Sequence, residues 1–103
     1  MSKILVIDED LKELAIEYLE TRRQEMRILE ESLSKSDLST IATIAHKMKG
    51  VAELYGFPEL TQLGSEMEKA SKAQNYELTQ KFLNEIKLYL FTVDLKFDRI
   101  EAV

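Results

Sequence analysis

Apolar residues recur at steps of three and four over almost the whole chain, which is the spacing of one face of an α-helix. The first such segment covers 8–33 and begins at Asp8 or Asp10, either of which is a suitable N-cap. No glycine or proline interrupts it. The pattern is compatible with one long helix and equally with two helices that meet at a kink near 20–21.

Three further segments show the same period and are separated by short polar breaks. They cover 37–55, 58–73 and 76–100. Ser36 or Asp37 caps the first of the three, and Gly56 ends it, because glycine readily takes the left-handed conformation at a helix C-terminus. Pro58 then fits the first turn of the next helix, where its missing N–H has no intrahelical role.

Four amphipathic helices with short connections pack best as an antiparallel four-helix bundle, so we expect an all-α fold. The preceding residues, 1–7, form a short N-terminal arm or an extra helical segment. We interpret the whole chain, 1–103, as a single domain. The last segment, if it is one continuous helix, is longer than about 30 Å and could extend beyond the bundle.

The start of the chain has a second interpretation. The apolar run Ile4–Ile7, followed by Asp8, Glu9 and Asp10, resembles the first strand and acidic pair of a response-regulator receiver domain, where the acids bind magnesium. A receiver also needs alternating strands and helices and a phosphorylatable aspartate after a later strand. We find no second apolar β-branched run and therefore favour an arm that packs on the bundle, without a metal site.

Composition excludes several classes of function. The chain has 103 residues with a net charge of −5, which disfavours general binding to nucleic acid. It contains no cysteine, which excludes disulfides, zinc–thiolate sites and thiol catalysis. The apolar run near the N-terminus is too short for a signal peptide or a membrane span. We therefore expect a cytoplasmic protein that does not associate with membranes.

The single histidine, His46, is the most informative residue for function. On a helix, its face is shared by the residues three, four and seven positions away, which are Ala42, Thr43, Lys49, Gly50 and Glu53. The apolar stripe of the segment lies on the other side. We therefore expect His46 to point outward, beside a small residue and a cation.

Gly50 is unusual at this position, because a glycine inside a helix costs about 1 kcal/mol relative to alanine. Close packing against another helix would explain it only if Gly50 lay on the apolar stripe, and it does not. We interpret Gly50 as a residue kept small so that a partner can approach His46.

The segment His46–Ala52, with Gly56 following, resembles the H-x-L-K-G-x-A-x-x-x-G pattern of the histidine-containing phosphotransfer (Hpt) domain family. The resemblance continues through Leu60, Leu63 and the 67–70 segment Met-Glu-Lys-Ala, which matches the family's L-E-x-A element. Upstream, the 18–23 segment is similar to an F/Y-L-x-x-R-R stretch of some single-domain members. Coverage is about residues 8–93.

Three positions depart from the family pattern. Met48 replaces leucine, which conserves volume, and Val51 stands where a small residue is frequent. Glu53 adds an acid one turn beyond Gly50, where we expect it to influence the choice of partner.

The resemblance implies a four-helix bundle that relays a phosphoryl group between aspartates of receiver domains. The carrier is a ring nitrogen of His46, because neutral imidazole is a nucleophile, and we expect that nitrogen to be Nε2. By the same resemblance, Glu68 holds the proton on Nδ1 and orients the ring, and Lys49 pairs with the phosphoryl oxygens. The domain is then a phosphocarrier and not an independent enzyme, and it needs no cofactor or metal of its own.

The implied partners are receiver domains of hybrid sensor kinases and response regulators, which would dock on Ala42, Thr43, Gly50 and Glu53. We expect a monomer. The alternative is a helical-bundle adaptor that binds other helices and has no phosphate chemistry.

Overall fold

A computed structural model describes residues 3–99. Positions 1–2 and 100–103, which include Ile100 at the end of the last predicted helix, lie outside the described residues. The helices are α1 (Lys12–Ser34), α2 (Leu38–Val51), α3 (Pro58–Lys72) and α4 (Tyr76–Thr92). Single 3-10 turns cover Glu9–Leu11 and Ala52–Tyr55, and two strands, β1 (Lys3–Asp8) and β2 (Val93–Asp98), flank the helices in sequence.

The helix boundaries follow from local side-chain chemistry. The Asp37 carboxylate accepts a hydrogen bond of 3.1 Å from the Thr40 N–H at the start of α2, and the Asn75 side chain accepts one of 3.0 Å from Leu78 at the start of α4. Gly56 has φ +95° and is left-handed, as predicted, but the α-helix before it ends at Val51 and a 3-10 turn covers Ala52–Tyr55. Pro58 is at the first position of α3.

The first helix is continuous, which answers the question that the sequence left open: α1 runs from Lys12 to Ser34 without a break near 20–21. Asp8 does act as a cap, but of the 3-10 turn that precedes α1, where its carboxylate accepts a hydrogen bond of 3.0 Å from the Asp10 N–H.

The four helices bury one apolar core. Helix α2 packs most extensively on α3, and α3 packs on α4, while α1 covers both α2 and α4. Each helix contributes fully buried side chains at the predicted spacing: Ala15, Met26 and Leu29 from α1; Ile41, Ala45 and Met48 from α2; Leu60 and Met67 from α3; Leu83, Ile86 and Leu90 from α4. Burial of each large side chain contributes about 1.5–3 kcal/mol to stability. This core holds α2 and α3 side by side.

The prediction that 76–100 is helical throughout is wrong after Thr92. The chain leaves α4 there and forms β2, which pairs in parallel with β1 in the register Lys3–Val93 to Asp8–Asp98. The expectation of an all-α fold, which rested in part on finding no second apolar β-branched run after Asp10, holds for the four helices and is wrong for the two strands. Helical spacing and strand alternation overlap here, since Leu90, Val93 and Phe97 are three and four apart while Val93 and Phe97 also belong to an alternating series.

Packing against the bundle makes this small sheet possible. Isolated two-stranded sheets are marginally stable in water, but the inner face of this one rests on the core. Ile7 and Val93 are buried, and Leu5, Leu95 and Phe97 pack against the core as partly buried residues. The predicted N-terminal arm is therefore a strand, β1, and β2 needs it as a pairing partner.

The helices of residues 3–99 include none with the length and apolar character that a membrane span requires.

Close packing of α2 and α3 depends on Gly64. A Cβ atom added there would lie 3.2 Å from the backbone nitrogen of Lys49 and 3.3 Å from the carbonyl oxygen of Ala45. We predict that Gly64→Leu lowers the free energy of unfolding by about 1–3 kcal/mol, because the larger side chain must separate the two helices. Urea unfolding monitored by circular dichroism measures this change, and a variant as stable as the wild type would contradict the close contact.

Candidate functional site

His46 lies in the second half of α2 and points away from the core. Its neighbours Ala45 and Met48 are fully buried, whereas the His46 side chain is 66% exposed. The same helix therefore fixes the histidine backbone through its buried face and presents the imidazole to solvent.

Glu68 on α3 contacts the imidazole of His46 and fixes its orientation. Its Oε2 lies 2.8 Å from Nδ1 of His46, and its side chain is only 5% exposed. An ionised carboxylate can only accept hydrogen bonds, so Nδ1 is the nitrogen that carries the proton. The lone pair of a neutral ring is then on Nε2, the nitrogen that makes no contact with Glu68.

Two lysines compensate the charge of this buried carboxylate. Lys49 Nζ lies 2.6 Å from Oε1 of Glu68, and Lys72 Nζ lies 3.1 Å from Oε2. The hydrogen bond from Lys49, with smaller contributions from Lys72 and His46, lowers the pKa of Glu68 to about 2 against the opposing effect of burial. Glu68 is thus a carboxylate at neutral pH and a permanent acceptor for Nδ1.

Gly50 is on the open surface of α2. A Cβ atom built on it meets no atom within 4 Å, so close helix packing does not explain this glycine. The glycine that permits the approach of α2 to α3 is Gly64, which the sequence analysis did not single out. The available signal was its spacing, because Gly64 follows Leu60 by four residues and precedes Met67 by three, which places it on the apolar face of α3.

A groove of about 520 Å³ runs beside the histidine along α2 and the end of α3. Ala42, Thr43, His46 and Glu68 line it together. Lys47 also lines this groove, although adjacent residues on an α-helix point about 100° apart.

Glu53 lies after the end of α2, in the 3-10 turn Ala52–Tyr55, and is exposed. The turn advances about 120° per residue where an α-helix advances about 100°. The α-helical spacing that placed Glu53 on the His46 face therefore does not extend to it.

The comparison with protein families decides what this arrangement belongs to. A family model described as "Hpt domain" matches residues 13–100. The chain belongs to the Hpt domain family. The match spans His46 and all its contacts, and it confirms the resemblance found in the sequence. Hpt domains are phosphocarrier modules of two-component phosphorelays. No curated protein and no solved structure matches the chain.

Residues 18–23 of this Hpt domain have a structural role. The Tyr18 ring stacks on Tyr55 with ring centroids 5.0 Å apart, and the guanidinium of Arg22 lies 4.7 Å from the Tyr18 ring centre. Arg23 donates a hydrogen bond of 2.8 Å to the carbonyl oxygen of Leu90, close to the end of α4. These contacts tie α1 to the turn after α2 and to the point where α4 gives way to β2.

Sequence reasoning missed Lys72 in this Hpt domain. Its position four residues after Glu68 was an available signal, because such residues are neighbours on a helix surface. No group of three or more acidic or histidine side chains within residues 3–99 is placed to hold a metal ion.

The low pKa of Glu68 predicts how acid affects stability. Its value falls from 4.5 to about 2 in the folded protein, so on acidification the unfolded chain takes up the proton first. The stabilising contribution of Glu68 is fully present above its ordinary pKa and is lost as the pH falls towards its folded pKa. We expect wild type to lose its stability advantage over Glu68→Gln across this acidic range, as measured by urea unfolding at several pH values. A difference that does not change with pH would contradict this assignment.

Proposed function

We propose that this Hpt domain takes a phosphoryl group from the phosphoaspartate of one receiver domain onto Nε2 of His46 and passes it to the aspartate of another. The observation that carries the proposal is the exposed imidazole whose Nδ1 is held by a buried carboxylate. This arrangement leaves Nε2 as the accessible nucleophile.

The geometry accounts for both directions of transfer. The Nε2 lone pair of His46 attacks phosphorus, the P–O bond to the receiver aspartate breaks, and that aspartate leaves as a carboxylate. The ring keeps its proton on Nδ1 and gains positive charge, which the Glu68 carboxylate stabilises. In the reverse step the second aspartate attacks phosphorus, the N–P bond breaks, and His46 returns to the neutral imidazole.

All the residues in this proposal come from one copy of the chain, so one copy suffices for transfer. The receiver supplies the aspartate and its magnesium, and the Hpt domain has no catalytic activity of its own.

Short connections between helices and the pairing of His46 with Glu68 support an antiparallel arrangement of the bundle within a single domain, 1–103. We place this relay in the cytoplasm.

The receiver would dock around His46 on a surface formed by Ala42, Thr43 and Gly50, and would meet Glu53 in the turn beyond the end of α2. The small residues among them allow the receiver to approach the imidazole closely, and Glu53 contributes to the choice among receivers of hybrid kinases and response regulators. A transient contact of this kind buries less than about 1,200 Å² in total.

Incubation with a radiolabelled phosphoreceiver in the presence of Mg²⁺ tests this function. We expect the label to move to the Hpt domain, to be lost in acid and to survive in base, as an N–P bond requires. A second, unlabelled receiver should then remove it. If a panel of phosphoreceivers transfers no label, the adaptor alternative, a bundle without phosphate chemistry, replaces the phosphorelay function.

The two lysines on Glu68 should differ in their effect on transfer. We predict that Lys49→Ala slows transfer about tenfold and lowers the yield of phosphohistidine. A tenfold change corresponds to the free energy of one charge-assisted hydrogen bond from Lys49 to the phosphoryl group. Lys72→Ala is the matched control and should have a smaller effect, because Lys72 makes the longer contact and its side chain is 65% exposed. Quench-flow transfer rates compare the two variants.

Lys49→Ala should lower the melting temperature more than Lys72→Ala, because it removes the shorter of the two lysine contacts to the buried Glu68 carboxylate. Equal transfer rates for Lys49→Ala and wild type would remove Lys49 from the site.

A further inference from the structure

The two-stranded sheet formed by β1 and β2 has a free edge along β2. Within residues 3–99, β2 pairs only with β1 in a two-stranded sheet, so alternate N–H and C=O groups along its other edge have no strand partner. Natural proteins usually protect such an edge, because it can pair with a strand from another chain. A partner strand must therefore match the side chains along the free edge of β2.

The side chains of β2 are self-complementary about Leu95. When β2 is placed antiparallel to a second copy of itself with the two Leu95 residues opposite each other, Asp94 faces Lys96 of the second copy, and Lys96 faces its Asp94. Val93 and Phe97 face each other in the same way. Directly opposite residues lie on one face of an antiparallel pair with their Cβ atoms about 4.5–5.5 Å apart, close enough for ion pairs and apolar contacts.

The faces of β2 agree with this pairing. Asp94 and Lys96 are exposed on the outer face, and neither has an ion-pair partner among residues 3–99. Val93, Leu95 and Phe97 alternate with them and pack towards the core. Pairing about Leu95 therefore joins two charged outer faces and extends two apolar inner faces.

The free edge of β1 has no such symmetry. Its outer face carries the exposed apolar residues Ile4 and Val6, and Asp8 is the only charged residue there. On the inner face, Lys3 is already bound to Glu59 at 2.6 Å. Pairing of β1 with itself would not place opposite charges together on either face.

We propose that two copies of the chain associate through antiparallel pairing of their β2 edges, with a two-fold axis at Leu95. The product is a four-stranded sheet in the order β1–β2–β2–β1. The strand has six residues, and an interface of this length falls below the size of about 1,200–2,000 Å² typical of stable complexes. The dimer is therefore weak and forms in a concentration-dependent way. This proposal replaces the monomer expected from the sequence with an equilibrium between monomer and dimer.

Charge exchange on the outer face tests the pairing by sedimentation equilibrium at low salt. Asp94→Lys places lysine opposite lysine at two positions, and Lys96→Asp places aspartate opposite aspartate. We expect each single variant to self-associate at least about tenfold more weakly than wild type, because like charges directly opposite each other are destabilising. A 1:1 mixture of the two variants should regain association. The double variant Asp94→Lys/Lys96→Asp, which restores opposite charges in the reverse order, should do so as well.

Several results would overturn the proposal. Wild type that stays monomeric at concentrations near 1 mM excludes a dimer of functional strength. Single variants that dimerise like wild type exclude the β2 edge. Loss of association in Ile4→Thr/Val6→Thr, which keeps the β2 edge intact, would assign the contact to the outer face of β1. Phosphoryl transfer by the charge variants is expected at the wild-type rate, so failure of the dimer leaves the proposed function untouched.

Discussion

His46→Gln should abolish phosphoryl uptake and leave the helical fold unchanged. Glutamine has no nucleophilic nitrogen, and His46 is the only histidine in the chain, so no second imidazole can take its place. The side chain that is removed is 66% exposed and adds little to the core. We therefore expect no detectable label after incubation with a phosphoreceiver, and a change in unfolding free energy within about 0.5 kcal/mol.

Lys81→Gln is the matched control, because it makes the same new side chain at an exposed position on α4. It should accept phosphate at the wild-type rate. A His46→Gln protein that still takes up label would show that another side chain is the acceptor.

Gly50→Gln should slow transfer more than tenfold without weakening the fold. The space around Gly50 is open within the chain, so a longer side chain has room in the free protein and its helix propensity is better than that of glycine. In the complex that we propose, the same side chain occupies the surface that the receiver must approach. Stopped-flow transfer rates and thermal unfolding on the same protein separate the two effects.

Gly50→Ala is the control for side-chain size. It should raise the free energy of unfolding by up to about 1 kcal/mol through helix propensity and retain most of the transfer rate. A strongly destabilised Gly50→Gln would contradict the open environment of this glycine. A stable variant that transfers at the wild-type rate would remove Gly50 from the docking surface.

The helices could be predicted from the sequence because their signals are local. The apolar period, the cap at Asp37 and the break at Gly56–Pro58 each act within a few residues. The continuity of α1 could not be decided in this way, since its pattern is compatible with a kink as well as with a straight helix.

The strand β2 could not be predicted because its signal is not local. Residues 93–98 satisfy a helical period as well as an alternating one, and β1, which selects between them, lies at the other end of the chain. Val93 could continue α4 by spacing alone. Pairing with β1 and burial against the core favour the extended conformation.

The site was only partly accessible from the sequence. Helical spacing predicted that His46 points outward, while the link between His46 and Glu68 came from the family resemblance, since 22 positions separate the two residues. The packing of α2 on α3 brings them together, and it brings Lys72 to the site with Glu68, its neighbour on α3. The groove that Ala42 and Thr43 line depends on the same packing.

The proposed transfer is tested most directly by identifying the nitrogen that carries the phosphoryl group. The chain can be labelled with ¹⁵N-histidine, phosphorylated by a receiver and studied by ¹⁵N and ³¹P NMR, and its single histidine gives one set of ring signals. We expect phosphorus on Nε2 and a proton on Nδ1 that is shifted by its hydrogen bond to Glu68. Phosphorus on Nδ1, or on a residue other than His46, would overturn the proposed function.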